Sequence, residues 1–467
     1  MKKCQIFTPS KIVEVLLNEA GYHKNLYGKK ILENSCGDGN ILKEIVKRYI
    51  ENCIDNKLSI SEIKAGLEND IYGIEIDSGH AETCIHNLDN IANEYSIRGV
   101  NWNINKTDFL INRLDFLFDF IIGNPPYINY RELTIEVREY IRDEFASCEC
   151  GKFDYCYPFI EGSINCLKKE GTLVYLIPNS IFKNVFASKL RTIILPHLKK
   201  IIDYTSERLF ENAITSSAII VCKKESESDY FEYVDIVKNS YFNITKKHLK
   251  DKWIFKEKSS SESKNRFGDL YNASISIATL FNFAYVLRDY EMIEDYVVVG
   301  DFKIEKKLVR EAVSPRSLRL NRKELIIFPY MYSKGKLVRY EQKIFEEFFP
   351  EAVRYLKSHE KNLCARKSDN NTRWFEYGRT QAIAHMNKTK ILLSTVITNQ
   401  VNTYKIDESV IPYSGIYIIS KNEYESLENA QKILESKHFF EYIKEIGINA
   451  SGNSIRITSN DINNYIF

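Results

Sequence analysis

Two adjacent prolines, Pro125 and Pro126, end an apolar run in the stretch DFIIGNPPYINY at residues 119–130. Neither proline offers a backbone donor, so no strand or helix continues through them. Pro125 also drives Asn124 towards extended geometry. The stretch therefore predicts a short buried strand over Phe118–Ile122. A rigid amide, Asn124, and an aromatic ring, Tyr127, follow at its carboxyl end, which is where open α/β sheets bind ligands.

The flanking sequence supports such a sheet. Apolar runs at Lys30–Glu33, Ile71–Ile76, Leu173–Ile177, Ile201–Tyr204 and Ala218–Cys222 read as further strands. Amphipathic patterns at Ser10–Glu19, Gly39–Ile50, His80–Tyr95, Tyr157–Lys169 and Ala187–Leu195 read as helices. This alternation predicts an α/β, Rossmann-like domain with a mostly parallel, doubly wound sheet. The last runs lack long helices between them, which predicts an antiparallel edge strand. The polar, serine-rich KEKSSSESKNR at residues 256–266 reads as a linker. It separates a first domain at 1–255 from a mixed α/β domain at 267–467.

A chain of 467 residues is too long for one compact domain. Its 65 basic and 63 acidic residues leave a net charge of +2, so any nucleic-acid surface is a local patch. No run reaches the roughly 18 apolar residues of a membrane span, and the N-terminus lacks a signal-peptide core. The ten cysteines are scattered and read as reduced thiols of a cytoplasmic protein. Cys148, Cys150 and Cys156 cluster without a second thiol pair or a histidine nearby, so no metal site is expected.

The stretch ILENSCGDGNIL at residues 31–42 runs from a strand through Gly37 and Gly39 into a helix. Glycines allow positive φ and close approach of a ligand to the backbone. Leu42 stands where a dinucleotide fingerprint has its third glycine, so an ordinary strand–turn–helix remains an alternative on this stretch alone. The next strand, IYGIEID at 71–77, ends on acids, the position from which a carboxylate bonds ribose hydroxyls. Glu75 and Asp77 both qualify. Glu75 is preferred, because it lies on the opposite strand face from Ile74 and Ile76. Asp108 follows before the next strand and is placed to accept from an adenine amino group. A glycine turn and two such acids fit an adenosine cofactor without a pyrophosphate, namely S-adenosyl-L-methionine.

In this order the motifs resemble the gamma-class DNA adenine-N6 methyltransferases of type II restriction–modification systems. Phe7-Thr8-Pro9 looks like the N-terminal motif that contacts the cofactor's methionine end. Glu33 to Gly39 looks like the glycine motif, with Asn34 where the family often has proline. Asn124-Pro125-Pro126-Tyr127 matches the catalytic motif without departure. Phe153-Asp154-Tyr155 and Leu176 to Asn179 look like the next motifs. Arg208 to Ala213, with Phe210, is similar to the segment that adds a second aromatic to the base pocket. Past the linker, Asp269–Tyr285, Leu325–Tyr330 and Trp374–Gln381 look like parts of the family's target-recognition domain.

The resemblance implies a site-specific methyl transfer to the N6 amine of a flipped adenine in double-stranded DNA. It implies Asn124, Pro125, Pro126 and Tyr127 as catalytic residues, with Tyr127 and Phe210 stacking on the base. It implies a cofactor site of Phe7, Thr8, Pro9, Glu33, Ser35, Cys36, Gly37, Gly39, Glu75, Ile76, Asp108, Phe109 and Asn124. It allows for a separately encoded cognate restriction endonuclease, and a monomer suits an asymmetric target. DNA-binding candidates are Arg316, Arg319, Arg322 and Lys323 in one basic run, and Arg366, Arg373 and Arg379 in another. Arg379 also reads as structural, packed within the recognition domain. RNA-adenine and protein-glutamine methyltransferases share the Asn-Pro-Pro-Tyr motif and stand as alternatives, as does a non-catalytic DNA-binding specificity module. No nuclease cluster stands out.

Overall fold

A computed structural model describes residues 8–112, 116–205, 216–225, 227–249, 252–255, 265–422, 424–450 and 453–467. The chain divides into two compact units, Met1–Ser259 and Ser260–Phe467.

The first unit carries strands β1 (Ile31–Glu33), β2 (Ile71–Glu75), β3 (Asn103–Lys106), β4 (Phe118–Gly123), β5 (Leu167–Pro178), β6 (Leu198–Asp203), β7 (Ser217–Lys223), β8 (Tyr230–Asp235) and β9 (Ser240–Thr245). They form one sheet in the order β3-β2-β1-β4-β5-β7-β6-β8-β9. The pairs from β3 to β5 are parallel, and β7 runs antiparallel to both β5 and β6. The antiparallel edge is present as β9 against β8. The late apolar runs β6 and β7, in contrast, lie inside the sheet.

Helices α1 (Ser10–Glu19), α2 (Asn40–Asp55), α3 (Ile60–Asp70) and α4 (Ser78–Glu94) share one apolar cluster with the sheet. Helices α5 (Ile135–Glu144), α6 (Cys156–Asn165) and α7 (Ser188–Ile194) share the other. The strands feed both by their two-residue period. In β5, Leu173, Tyr175 and Ile177 join the α5–α7 cluster, while Val174 and Leu176 join the α1–α4 cluster. The sheet is thus covered on both faces, as expected of a doubly wound fold. Helix α6 stops at Asn165, four residues short of the expected Lys169, because Leu167 already begins β5.

Asn34, the departure from the family's proline, is buried directly after β1. Its Nδ2 donates to Ser163 Oγ of α6 at 2.9 Å, and its Oδ1 accepts from the Tyr175 hydroxyl of β5. A buried amide is tolerated where both of its ends are bonded. This network ties the start of the glycine turn to the α6 layer.

The second unit has two four-stranded sheets among smaller hairpins. One consists of Tyr271–Ile275, Ile416–Ser420, Lys390–Leu393 and Thr403–Ile406, and the helices Leu427–Leu434 and Lys437–Ile446 share its core. The three fragments singled out from its sequence meet in one aromatic core. Tyr377 sits 5.2 Å, ring to ring, from both Tyr285 and Tyr330. Its hydroxyl donates to the Ile327 carbonyl at 2.6 Å.

Tyr175→Phe removes the donor to the buried Asn34 oxygen. One unsatisfied buried acceptor costs about 1–3 kcal/mol, so a thermal melt is expected to show Tm lowered by a few degrees.

Candidate active site

The carboxyl ends of β1, β2 and β4 and the loop after β3 surround a cavity of about 390 Å³. The turn after β1 forms its floor. Gly37 and Gly39 take φ of 51° and 80°, values that an L side chain resists. A Cβ on Gly39 would come 2.6 Å from Cys84 Sγ of α4, so this position lets α2 and α4 pack closely. Leu42, in place of a third glycine, is fully buried in the helical layer.

The end of β2 clamps this turn. Cys36 N donates to the Ile74 carbonyl at 3.0 Å. Gly37 N donates to Glu75 Oε2 at 2.9 Å, and Glu75 Oε1 accepts from Asp77 N at 2.9 Å. Asp77 instead caps α4, accepting from Gly79 N and His80 N at 3.0 and 3.2 Å. The two acids that sequence left open thus divide: Glu75 braces the turn and Asp77 starts the helix. After β3, Asp108 accepts from Leu110 N at 2.8 Å. Burial holds its carboxyl above the ordinary range, against the lowering effect of the Leu110 N–H and the Tyr155 hydroxyl.

Glu33 lies on the wall and is 3% exposed. Burial foremost, then the Cys84 thiol, pushes its carboxyl well above the ordinary value. Among the described residues, its Oε2 has no hydrogen-bond partner. That is a buried acceptor on a residue of the cavity wall, which a cationic donor would satisfy.

Asn124 lines the cavity at the end of β4, beside Pro126. Its carbonyl accepts from Ser35 Oγ at 3.2 Å, and its Nδ2 donates to Thr8 Oγ1 at 3.3 Å. Pro125 is buried behind this wall. Tyr127 is half-buried against the α5–α7 core, and its hydroxyl donates to the Leu176 carbonyl at 2.8 Å. The same wall includes Thr8, Ser35, Cys36, Gly37, Ile76 and Phe109. Ile76 is 63% exposed, an apolar group left open at the cavity. Gly39 and Pro9 act one step behind, as the residues preceding α2 and α1. Phe7 and Phe210 lie outside the described residues.

Tyr155, named from sequence only as part of a motif, lies on the cavity wall; sequence reasoning passed over the Thr8–Asn124 bond and a pair between His80 Nδ1 of α4 and the Asp38 carboxylate of the turn. The last had a readable signal: an acid between two turn glycines and a histidine in the first turn of the next crossover helix.

In the second unit the basic candidates separate by their partners. Arg366 donates to the carbonyls of Leu363, Thr279 and Trp374 at 2.7–2.9 Å, which ties loops together. Arg373 pairs with Glu341 and with the buried Glu376. Arg379 pairs with Asp369 at 2.8 Å. Arg316, Arg319, Arg322 and Lys323 are exposed, and none has an ion pair among the described residues. No group of three or more metal-ligating side chains occurs among the described residues. No described helix is long and apolar enough to cross a membrane.

A sheet of this order, with a glycine turn after β1 and its cavity at the strand ends, has a Rossmann-like fold. Residues 25–210 match the Eco57I restriction-modification methylase family. The chain is 31% identical over 236 residues to the Type II methyltransferase M.BstVI of Geobacillus stearothermophilus, covering 47% of this chain and 42% of that protein. It is 23% identical to the Type II restriction enzyme and methyltransferase RM.Eco57I of Escherichia coli, over 93% of this chain and 54% of that one. The chain therefore spans about half the length of these relatives, or less. The fold of the Type IIL restriction-modification enzyme MmeI, solved in complex with DNA, matches 97% of this chain and 65% of its own, at a TM-score of 0.61 and 14% identity.

Asp154, next to the cavity residue Tyr155, is pushed up to about 6 by burial, opposed by its bonds from Cys156 and reinforced by Glu132. The raised value favours the neutral acid in the fold. Its stabilising contribution is complete below about pH 4 and is lost as pH rises through about 6. Asp154→Asn is expected to remove that slope, seen as a smaller fall in Tm between pH 4 and 7 than in the wild type.

Proposed function

We propose that the chain is a site-specific DNA methyltransferase, acting on the N6 amine of an adenine flipped out of duplex DNA, with S-adenosylmethionine as methyl donor. One observation carries the reading. Asn124 and Pro126 share a single cavity with the glycine turn, Glu75 and Asp108. The family match and the relatives' roles in restriction and modification support it. A cytoplasmic monomer, with a cognate endonuclease encoded separately, belongs to the same proposal.

The residues present suit the donor. The orphaned Glu33 oxygen is an acceptor for its ammonium group, and Ile76 and Phe109 offer apolar surface to its adenine. Glu75 would take the ribose hydroxyls and Asp108 the adenine amine. Bound there, the donor supplies a methyl group carried on a sulfonium, open to a nitrogen lone pair.

The chain's own task is to make that lone pair available. An exocyclic amine delocalises it into the ring. Two acceptors, the Asn124 side-chain oxygen and the Pro125 carbonyl, would bond the two amine hydrogens and keep electron density on nitrogen. Such pre-set acceptors act by orientation and electrostatics. Thr8 Oγ1 accepts from the Asn124 nitrogen, and the amide oxygen is buried. The Tyr127 ring, anchored through its hydroxyl, would offer a stacking face. Stacking is worth about 1–3 kcal/mol per base, comparable with the cost of extruding it. Phe210 would add the second aromatic.

The full chain, incubated with tritiated donor and duplex DNA, is expected to label N6 of adenine. Labelling of RNA or protein in its place would overturn the reading. Asn124→Ala is expected to reduce transfer by about 100-fold or more, with donor affinity nearly unchanged. Thr8→Val, which loses one orienting bond, should reduce kcat about three- to tenfold. Glu33→Gln is expected to weaken donor binding about tenfold or more in calorimetry, by loss of a charge-assisted bond.

A further inference from the structure

The second unit contains a cleft of about 460 Å³ built from two segments distant in sequence. One wall is the helix Pro315–Arg319, in which Arg316 and Arg319 are exposed one turn apart and share a face. Its start is fixed by a capping box, Ser317 N to Ser314 Oγ at 3.0 Å and Ser314 N to Ser317 Oγ at 2.8 Å. Leu318 packs against a small core of Val313, Leu392, Ile406 and Val410.

The other wall is the segment 394–404. Ile397 and Val401 are buried and hold it at two points. Asn399, Gln400 and Asn402 stand exposed around them. Gln400 Nε2 donates to Asn402 Oδ1 at 2.8 Å, which pre-aligns those two carboxamides. Leu392, two residues before this segment, belongs to the core under Leu318, so the walls share one support. Among the described residues that line the cleft there is no carboxylate.

A surface that only holds phosphates needs cations. This cleft adds three carboxamides, each carrying a donor beside an acceptor. A guanidinium fork matches the O6 and N7 edge of guanine, and a carboxamide matches the N6 and N7 edge of adenine. Resting on the reading of the chain as a DNA methyltransferase, we propose that this cleft reads base edges of the target. Arg316 and Arg319 would read guanine, and Asn399, Gln400 and Asn402 would read adenine. The target sequence then contains at least one G·C pair beside A·T pairs.

The test is sequencing of methylated adenines in genomic DNA from cells that express the full chain or its variants Arg316→Ala, Arg319→Ala, Asn399→Ala and Gln400→Ala. These side chains are exposed, and thermal melts check that each variant stays folded. Where an alanine variant melts early, Arg→Lys or Gln→Glu takes its place, since lysine loses the planar fork and glutamate loses the donor beside the acceptor. The wild type is expected to give one consensus. At least one arginine variant should relax it at a G·C position, and at least one amide variant at an A·T position. Turnover on the original site should fall about tenfold to a hundredfold in those variants. The same consensus in all variants would overturn the assignment. So would a loss of activity equal on every sequence, the mark of a phosphate contact, or a wild-type consensus without a G·C pair. A wild type that methylates no DNA would instead overturn the proposed function itself.

Discussion

The site depends on a clamp between two adjacent strand ends. Glu75, at the end of β2, accepts a backbone N–H from the turn after β1 with one carboxylate oxygen and a backbone N–H from its own following loop with the other. Two loops are thereby fixed by one side chain. The clamp needs a donor at Gly37 and a backbone free to take φ of 51° there. It also needs α2 to leave the turn close to α4, which the absent side chain of Gly39 permits. The glycine turn and the acid after β2 are two motifs on paper and one mechanical unit in the fold. Any ligand whose hydroxyls compete for Glu75 therefore meets a carboxylate already oriented by amide donors.

The parts of the fold that sequence reveals are those whose period repeats over enough residues. The central strands β1, β2, β4, β5 and β7 are apolar on both faces and stand out, as do α1, α2 and α4. Strand β3, Asn-Ile-Asn-Lys, does not. It pairs on one side only and buries one residue, so nothing in its composition separates it from a loop. Helix α3 is short of apolar residues, yet Ser59 and Glu62 form a capping box that marks its start. Helix α5 is charged along most of its length and announces itself only by Thr134 at its N-cap. The antiparallel run was legible as chemistry but not as position, because strand order depends on crossovers that no local pattern records.

Charge in the second unit shows a sharper limit. Arg316 and Arg366 look alike in sequence, each within a basic run. In the fold, Arg366 is held by three backbone carbonyls, while Arg316 is exposed beside a polar cleft. The difference lies in what surrounds each guanidinium, not in the residue. A planar fork that can satisfy several carbonyls at once is as useful for closing a loop as for reading a base. The aromatic fragments behave in the opposite way. Tyr285, Tyr330 and Tyr377 are buried, and their large side chains can be satisfied only together. Three pieces scattered along the sequence therefore converge on one core.

Asn124 combines both kinds of information. Its backbone is set locally, by the prolines that follow it and by the end of a buried strand. Its side chain is set by Thr8, which lies 116 residues earlier. Thr8 lies two residues before α1, next to its N-cap Pro9, and α1 is seated by Leu16 and Leu17 in the layer that also holds Val174 and Leu176 of β5. The orientation of the amide thus rests on the packing of an N-terminal helix that never touches the cavity itself. Rigid prolines alone give an acceptor the right place. The threonine fixes which end of the amide is its nitrogen, and hydrogen-bond catalysis of the proposed kind depends on that choice, because an amide presented nitrogen-first would donate where it must accept.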